Sequence, residues 1–380
     1  MTCKNLKLIE QIKSSERQLP VTRPYFPPIE NYTKLVERVY ENGWLTNGGP
    51  VLGELTERLK QKFQTEHLLI VNNGTSALQV AYKIFNLENK NVITSPYTFP
   101  ATATALQWVG ANVVHADICP KTWNLDPKSV REVLAKQKID AIVPVNIFGN
   151  PCDLAEFDRI GKEYNIPIIY DSAQALLSKY DNQSIFNFGD VHCVSFHATK
   201  LFHTVEGGAL IFKNKAHYQT AQKLINFGIE SSGEVLIPGT NAKLSELHAA
   251  MGMCVLDDLN KLVLSRERSI ALYKKNLHSL IKFQSFNEND YVPPMYMPIL
   301  FPSERTLLDA EKLLHTHNVL SRRYFYPRNH KFLTDQQTSK HNLSQCDLIS
   351  NRILCIPLMH EMKTTEIIEV CQLIDKVFVE

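Results

Sequence analysis

A mostly parallel α/β sheet covered by helices, followed by a smaller α+β unit, is the fold class predicted for this 380-residue chain. Three features predict it. From Leu68 onward, short apolar runs alternate with helical patterns, the rhythm of strand–helix–strand crossovers. Several runs, such as LLIV and IPII, are apolar without interruption, as strands buried on both faces are. After about residue 240 the alternation stops and a long helical region without strong breakers begins.

Taken in order, residues 1–30 are polar and then proline-rich, and read as a short helix or arm with an extended lead-in. Asn31 to Tyr40 reads as helix. NGWLTNGGP, residues 42–50, is a Gly/Asn/Pro loop long enough to serve function. Leu55, Leu59 and Phe63 recur every four residues, so 51–64 is an amphipathic helix. The runs LLIV, NVIT, NVVHAD, AIVPV, IPIIYD and HCVSF are strands. Between them lie helices after NGTS, in PATATALQWV, in PKSVREVLAKQ behind the cap pair Asp126–Pro127, and in DLAEFDRIGKEY, which Asp153 opens. Residues 243–280 form the long helix that links to the small unit, which holds a strand, MPILF, and helices in LLDAEKLLHTH and TEIIEVCQLIDKVF. The expected division is 1–50 (arm, helix and active-site loop), 51–245 (large domain) and 246–380 (linking helix and small domain).

Composition sets the bounds. Apolar residues make up 44%, charged residues 21%, and the net charge is +2, which leaves no electrostatic footprint for nucleic acid or an anionic membrane surface. No apolar run approaches the roughly 18 residues of a membrane span. The first residues lack the continuous apolar core of a signal peptide. Eight scattered cysteines without a CxxC read as reduced thiols in a cytoplasmic enzyme, not as a disulfide framework or a metal site.

Four strand exits carry unusual polar residues. In NNGTSAL, Gly74 permits close backbone approach, while Thr75 and Ser76 start a helix whose N-terminus offers free N–H groups and two hydroxyls, a cradle for phosphate. An ordinary helix cap accounts for the same letters. In SPYTFPAT an aromatic beside that cradle would stack on a planar ring, Phe99 first and Tyr97 second; a place in the core is the alternative. In IPIIYDSAQA a buried strand ends at Asp171, whose carboxylate needs a partner, and a pyridinium N–H suits it. Gln174 would bond a ring hydroxyl on the same ligand, and a cap for the following helix is the other reading. In VHCVSFHATKLFHTVEGGALI, Ser195 offers a hydroxyl to a phosphate and Lys200 an amine at a strand exit. A lysine there is costly unless solvated, paired or converted, and Schiff-base formation is one conversion. A surface lysine in a loop is equally compatible with that segment. His197 and His203 flank it and would line a pocket or the core. Together the four exits describe a site for pyridoxal phosphate on Lys200. A dinucleotide-binding reading would need GxGxxG at a strand–helix junction, and NGTS lacks that spacing.

NGTSAL, PYTFPATATAL, YDSAQA, SFHATK with EGGAL, and GTNAKLSELHAAMG occur in this order. The chain thereby resembles the DegT/StrS-type sugar aminotransferases, fold-type I pyridoxal phosphate enzymes that act on nucleotide-linked keto sugars. The resemblance runs from NGWLTNGGP to the carboxyl end. It implies that Lys200 binds the cofactor and shuttles the proton, and that Asp171 meets the pyridine nitrogen and Gln174 the ring hydroxyl. Gly74, Thr75, Ser76 and Ser195 would hold the phosphate, and Phe99 would stack on the ring. Asn241 would reach the phosphate from a neighbouring subunit, so a homodimer with shared sites is implied.

The resemblance further implies L-glutamate as amino donor and a nucleotide-linked keto sugar as acceptor. Candidate substrate contacts are Trp44, Thr46 and the rest of the loop to Asn47, the segment Asn226 to Gly228, His203, and Arg322, Arg323, Tyr324, Tyr326 and His330. A solvated basic turn is the other reading of that last stretch. The HATK…HTVEGG variant looks most like enzymes aminating C4 of dTDP-4-keto-6-deoxy-D-glucose for O-antigen or related glycans. C3 amination and a non-catalytic cofactor-binding regulator are the alternatives. Val205 before the Glu-Gly-Gly turn and Lys243 after Asn241 depart from the family's frequent glycine and arginine. Lys200 itself sets aside a related dehydratase branch that carries histidine there.

Overall fold

The computed structural model describes residues 18–230, 232–327 and 342–378. Two helices lead in, α1 (Ile29–Asn42) and α2 (Pro50–Phe63), with the loop 43–49 between them. The strands follow where the apolar runs predict them: β1 (Leu68–Val71), β2 (Asn91–Thr94), β3 (Asn112–His115), β4 (Ala141–Val143), β5 (Ile169–Asp171), a small hairpin of β6 (Lys179–Tyr180) and β7 (Gln183–Ser184), then β8 (Val191–Ser195) and β9 (Gly208–Phe212). Helices α3 (Gly74–Ile84), α4 (Pro100–Trp108), α5 (Pro127–Leu134) and α6 (Leu154–Tyr164) alternate with them, and α7 (Lys215–Leu224) follows β9. Asp126 and Asp153 cap α5 and α6, accepting from Lys128 N and Glu156 N at 3.0 and 3.1 Å.

The strands β3, β2 and β4 pair in parallel. Bridges Ile142–Ile168 and Val145–Asp171 join them to a second segment, β5-β8-β9-β1. The result is one seven-stranded sheet ordered β3-β2-β4-β5-β8-β9-β1. Within it β9 runs against both neighbours. Side chains alternate between faces, as a period of two requires. Val92, Val113, Ala141 and Val143 enter one cluster with α3 and α4 residues, while Ile93, Val114 and Ile142 enter another with α5 and α6 residues. Covering both faces explains why these strands read as unbroken apolar runs.

The long helix α8 (Glu246–Asn276) spans two cores. Leu256, Leu259 and Leu262 pack with α2 and the sheet, whereas Tyr273 joins the cluster built on β10 (Met297–Leu300), α9 (Glu304–Thr316), β11 (Ile353–Ile356) and α11 (Thr364–Asp375). Strands β10 and β11 pair antiparallel. Between α9 and β11, the helix α10 (Ser344–Ser350) is tied to the large sheet's side, for the Asp117 carboxylate accepts from Gln345 N and Cys346 N at 2.9 and 2.8 Å. Among the described residues, no helix is long and apolar enough to cross a membrane and no three metal-ligating side chains gather.

His192, on β8, is buried behind the strand ends, with its ring stacked on Tyr170 at 4.7 Å. Its Nε2 lies 3.0 Å from the Phe188 carbonyl, which only accepts, so Nε2 carries the proton. Nδ1 therefore accepts from Ser172 Oγ at 2.8 Å, and that oxygen accepts from Asn146 Nδ2 at 2.9 Å. Burial pushes the imidazole down from 6.5 to about 4. The neutral ring is the folded form, so its contribution to stability is complete above pH 6.5 and is lost as pH falls toward 4. The loss should approach roughly 3 kcal/mol. Urea unfolding from pH 7 to 4 should show this slope, and His192→Gln should flatten it. An unchanged slope in the variant would remove His192 as the cause.

Candidate active site

Strand exits β1, β5 and β8 open together into a cavity of about 350 Å³, walled on the other side by Tyr296, Arg322, Tyr324 and Phe325. Ligands of doubly wound sheets bind at such carboxyl ends. Of the residues singled out from the sequence, Gly74, Thr75, Phe99, Asp171, Gln174, Ser195, His197, Lys200, Arg322 and Tyr324 line it.

At the β1 exit, α3 begins one residue earlier than NGTS suggests. Asn73 is its cap, its side chain accepting from Ser76 N at 2.7 Å. The first intrahelical bond is Ala77 N to Asn73 O, at 3.2 Å, so the amides of Gly74 and Thr75 lie ahead of it at the positive end of the helix dipole. Ser76 spends its amide on the cap and does not line the cavity. Gly74 allows a close approach: a Cβ there would stand 3.0 Å from Ser195 Cβ and would push that residue back. Gly208 serves the same junction from β9, where a Cβ would meet the Asn73 carbonyl carbon and Val194 O, both at 2.7 Å. The glycines let β9 and β8 press against the turn that offers the amides.

At the β5 exit, Asp171 is only 5% exposed. Its Oδ2 accepts from Thr102 Oγ1 at 2.7 Å and its Oδ1 from Ala173 N at 3.1 Å. Burial raises its pKa, against the Thr102 and Ala173 hydrogen bonds and the Lys200 charge, which lower it. A buried carboxylate so oriented is matched by a cationic N–H donor in the cavity. Gln174 Oε1 accepts from Phe148 N at 2.6 Å, so its amide NH₂ is the end left to donate.

At the β8 exit the HATK turn folds on itself. Lys200 N donates to His197 O at 2.8 Å, and His197 Nδ1 meets Thr199 Oγ1 at 2.9 Å. Lys200 Nζ enters the cavity and donates to the Tyr296 hydroxyl at 3.2 Å. Phe99 stays 52% exposed at the cavity rim, whereas Tyr97 is buried and donates its hydroxyl to the Tyr324 carbonyl. Of the two aromatic candidates, Phe99 is the one that faces the cavity.

The remaining candidates diverge. His203 is 3% exposed, bonded through Nε2 to the Tyr25 carbonyl at 2.8 Å and through Nδ1 to Val205 N at 3.3 Å. One nitrogen anchors the lead-in segment, the other its own turn, and neither reaches the cavity, so its expected place among substrate contacts is corrected to one in the core. Trp44 and Thr46 also stand outside the cavity. Their loop packs on the start of α8, where Glu246 accepts from Val51 N and Leu52 N at 2.7 and 2.9 Å and donates its own amide to Leu45 O. Arg323 is held by Glu304 at 2.8 Å and lies over the Tyr326 ring, leaving neither to line the cavity. Asn226 and Asn241 form a bridge away from the cavity of their own chain. His330 lies outside the described residues.

Sequence reasoning missed Tyr296, Phe325, Asn146 and Thr102. Thr102 carried a usable signal, since it stands in the first turn of α4 directly behind the Phe99 cap. Tyr296 and Phe325 carried none, because they arrive from segments without periodicity.

A phosphate-bearing pyridine aldehyde fits this donor set: helix amides and hydroxyls at one end, a buried carboxylate at another, and an amine between them. The DegT/DnrJ/EryC1/StrS aminotransferase family matches residues 29–375. Relatives include a dTDP-4-amino-4,6-dideoxy-D-glucose transaminase of Shigella dysenteriae, 33% identical over 93% of this chain and 97% of that protein. One of the same name from Escherichia coli is 29% identical over 95% and 99%. The crystal structure of DesI with its TDP-sugar product superposes with a TM-score of 0.87 at 29% identity, covering 95% of this chain and 93% of that one.

Proposed function

Because this chain belongs to the DegT/DnrJ/EryC1/StrS aminotransferase family, we propose that it moves an amino group from L-glutamate to C4 of dTDP-4-keto-6-deoxy-D-glucose. It is a pyridoxal phosphate enzyme of fold type I. The names of the two transaminase relatives support the nucleotide and the position, and DesI's TDP-sugar product supports the nucleotide. The observation that carries the reading is that Lys200 Nζ and the Asp171 carboxylate line one cavity beside the α3 N-terminus.

Bound pyridoxal phosphate supplies an aldehyde carbon that takes up an amine covalently and a ring that accepts electron density. The residues divide the remaining work. Gly74 and Thr75 amides, the Thr75 hydroxyl and Ser195 Oγ bind the phosphate at the positive helix end. Asp171, held by Thr102 and Ala173, keeps a proton on the ring nitrogen. The Gln174 amide donates to the ring hydroxyl, and Phe99 covers one face. Lys200 would hold the aldehyde carbon, and its Nζ would carry a proton to and from the substrate carbon. Tyr324 and Arg322 line the cavity from the small unit and would face the sugar nucleotide.

Asn241 is exposed and absent from its own cavity, and apolar side chains a few residues before it are exposed as well, Val235 at 64% and Leu236 at 58%. We therefore read the working form as a homodimer in which Asn241 completes the phosphate site of the other copy. Trp44 and Thr46, on their exposed loop, are kept as contacts that assembly brings to that site.

The test is incubation with L-glutamate and a panel of dTDP- and UDP-linked 3-keto and 4-keto sugars, with the amination position read by NMR. A 4-amino dTDP product is expected. A 3-amino product would overturn the position alone. Cofactor that binds but never exchanges with glutamate would favour a regulator.

A further inference from the structure

Tyr296 stands just before β10, and its place follows from neither the family motifs nor the strand exits. It is 8% exposed, and its hydroxyl is the hydrogen-bond partner of Lys200 Nζ at 3.2 Å. Its ring is fixed edge-on between Phe148 at 5.8 Å and Tyr324 at 5.5 Å. The peptide that presents it is held from behind. Arg266, on α8 and 1% exposed, donates Nη1 to the carbonyl of Met295 at 3.5 Å. Among the described residues no carboxylate pairs with Arg266, and its Nε has no partner. Burial lowers that guanidinium to about 10, against the neighbouring Tyr296. It remains charged at neutral pH. An unpaired buried cation is expensive, so the fold keeps one next to Tyr296 at a cost.

We propose that Tyr296 is a positioning residue for Lys200, holding Nζ in the cavity whether or not the amine carries a proton, with Arg266 fixing the peptide from which Tyr296 projects. The inference rests on the aminotransferase reading of Lys200. A base that gains and loses a proton needs a partner that accepts from its ammonium and donates to its free amine. A carbonyl or carboxylate only accepts, whereas a phenol does both. The flexible lysine stem would otherwise sample many positions once released.

The test compares the holoenzyme with Tyr296→Phe, which keeps the ring and removes one oxygen. Single-turnover reaction with L-glutamate should slow by about 10- to 100-fold, the range of a hydrogen bond to a charged group. The isotope effect with 2-deuterated glutamate should rise, because proton transfer becomes the slow step, while cofactor affinity and thermal midpoint stay put. Arg266→Lys, which keeps the charge and a donor to Met295, should react faster than Arg266→Met. Unchanged rate and isotope effect in Tyr296→Phe would overturn the proposal while leaving the enzyme class standing. An unsubstituted protein that forms no bond between cofactor and Lys200 would overturn both.

Discussion

Lys200→Ala is expected to abolish transamination, with turnover falling by roughly 10⁴-fold or more, the upper range of a positioned acid–base group. The amine is the group in the cavity placed both to bind an aldehyde and to move a proton, and its removal takes away both capacities at once. Alanine leaves the strands intact, since β8 and β9 pair residue for residue from Val191–Phe212 to Ser195–Gly208. The variant should therefore fold with an unchanged melting midpoint. Borohydride treatment followed by digestion and mass measurement checks the assignment without recourse to rate. The parent should yield a cofactor-modified peptide containing Lys200, and the variant should yield none. A modified peptide from elsewhere in the chain would assign the linkage to another lysine.

Asp171→Asn should slow the glutamate half-reaction by about 10²- to 10³-fold, the scale on which a preorganised electrostatic group acts. The amide fills the same volume and still accepts from Ala173 N, but it brings no charge to the ring nitrogen. Its effect on stability runs the opposite way. Burial raises the Asp171 pKa in the folded chain, so the neutral acid is the comfortable form. In the cofactor-free protein, stability is fully present below the ordinary carboxylate range and is lost as pH rises through the raised value. Cofactor-free Asp171→Asn should thus melt higher than the parent at pH 7, with the gap closing toward pH 4. A lower melting point at pH 7 would mean that Asp171 holds the fold together and is not tuned for a ligand.

The sheet was legible because it is buried on both faces. LLIV and NVIT are β1 and β2 residue for residue, since their apolar residues are buried between helices on both faces. Most of the cavity was legible for a related reason: Asp171, Lys200 and Gly74 follow directly from strands, and parallel strands deliver their exits to one edge. What failed was long-range pairing. From the sequence His203 suits a pocket or the core equally, and only the Tyr25 carbonyl, 178 positions away, settles it in the core. Arg323 reads as a free cation until Glu304 claims it. Tyr296 reads as one aromatic in an apolar stretch, and only the return of β10 beside the large sheet brings it to Lys200.

The reversed strand β9 has a consequence for how the lysine can be lost. The segment carrying Lys200 simply turns back on itself, its two ends sewn together by the antiparallel pair β8 and β9 inside the sheet. Fraying of the chain's margins leaves that knot untouched. The chemical centre is set free only when β9 tears away from β1 and β8 together, so the protein sheds its reactive amine at the moment of global collapse and not before.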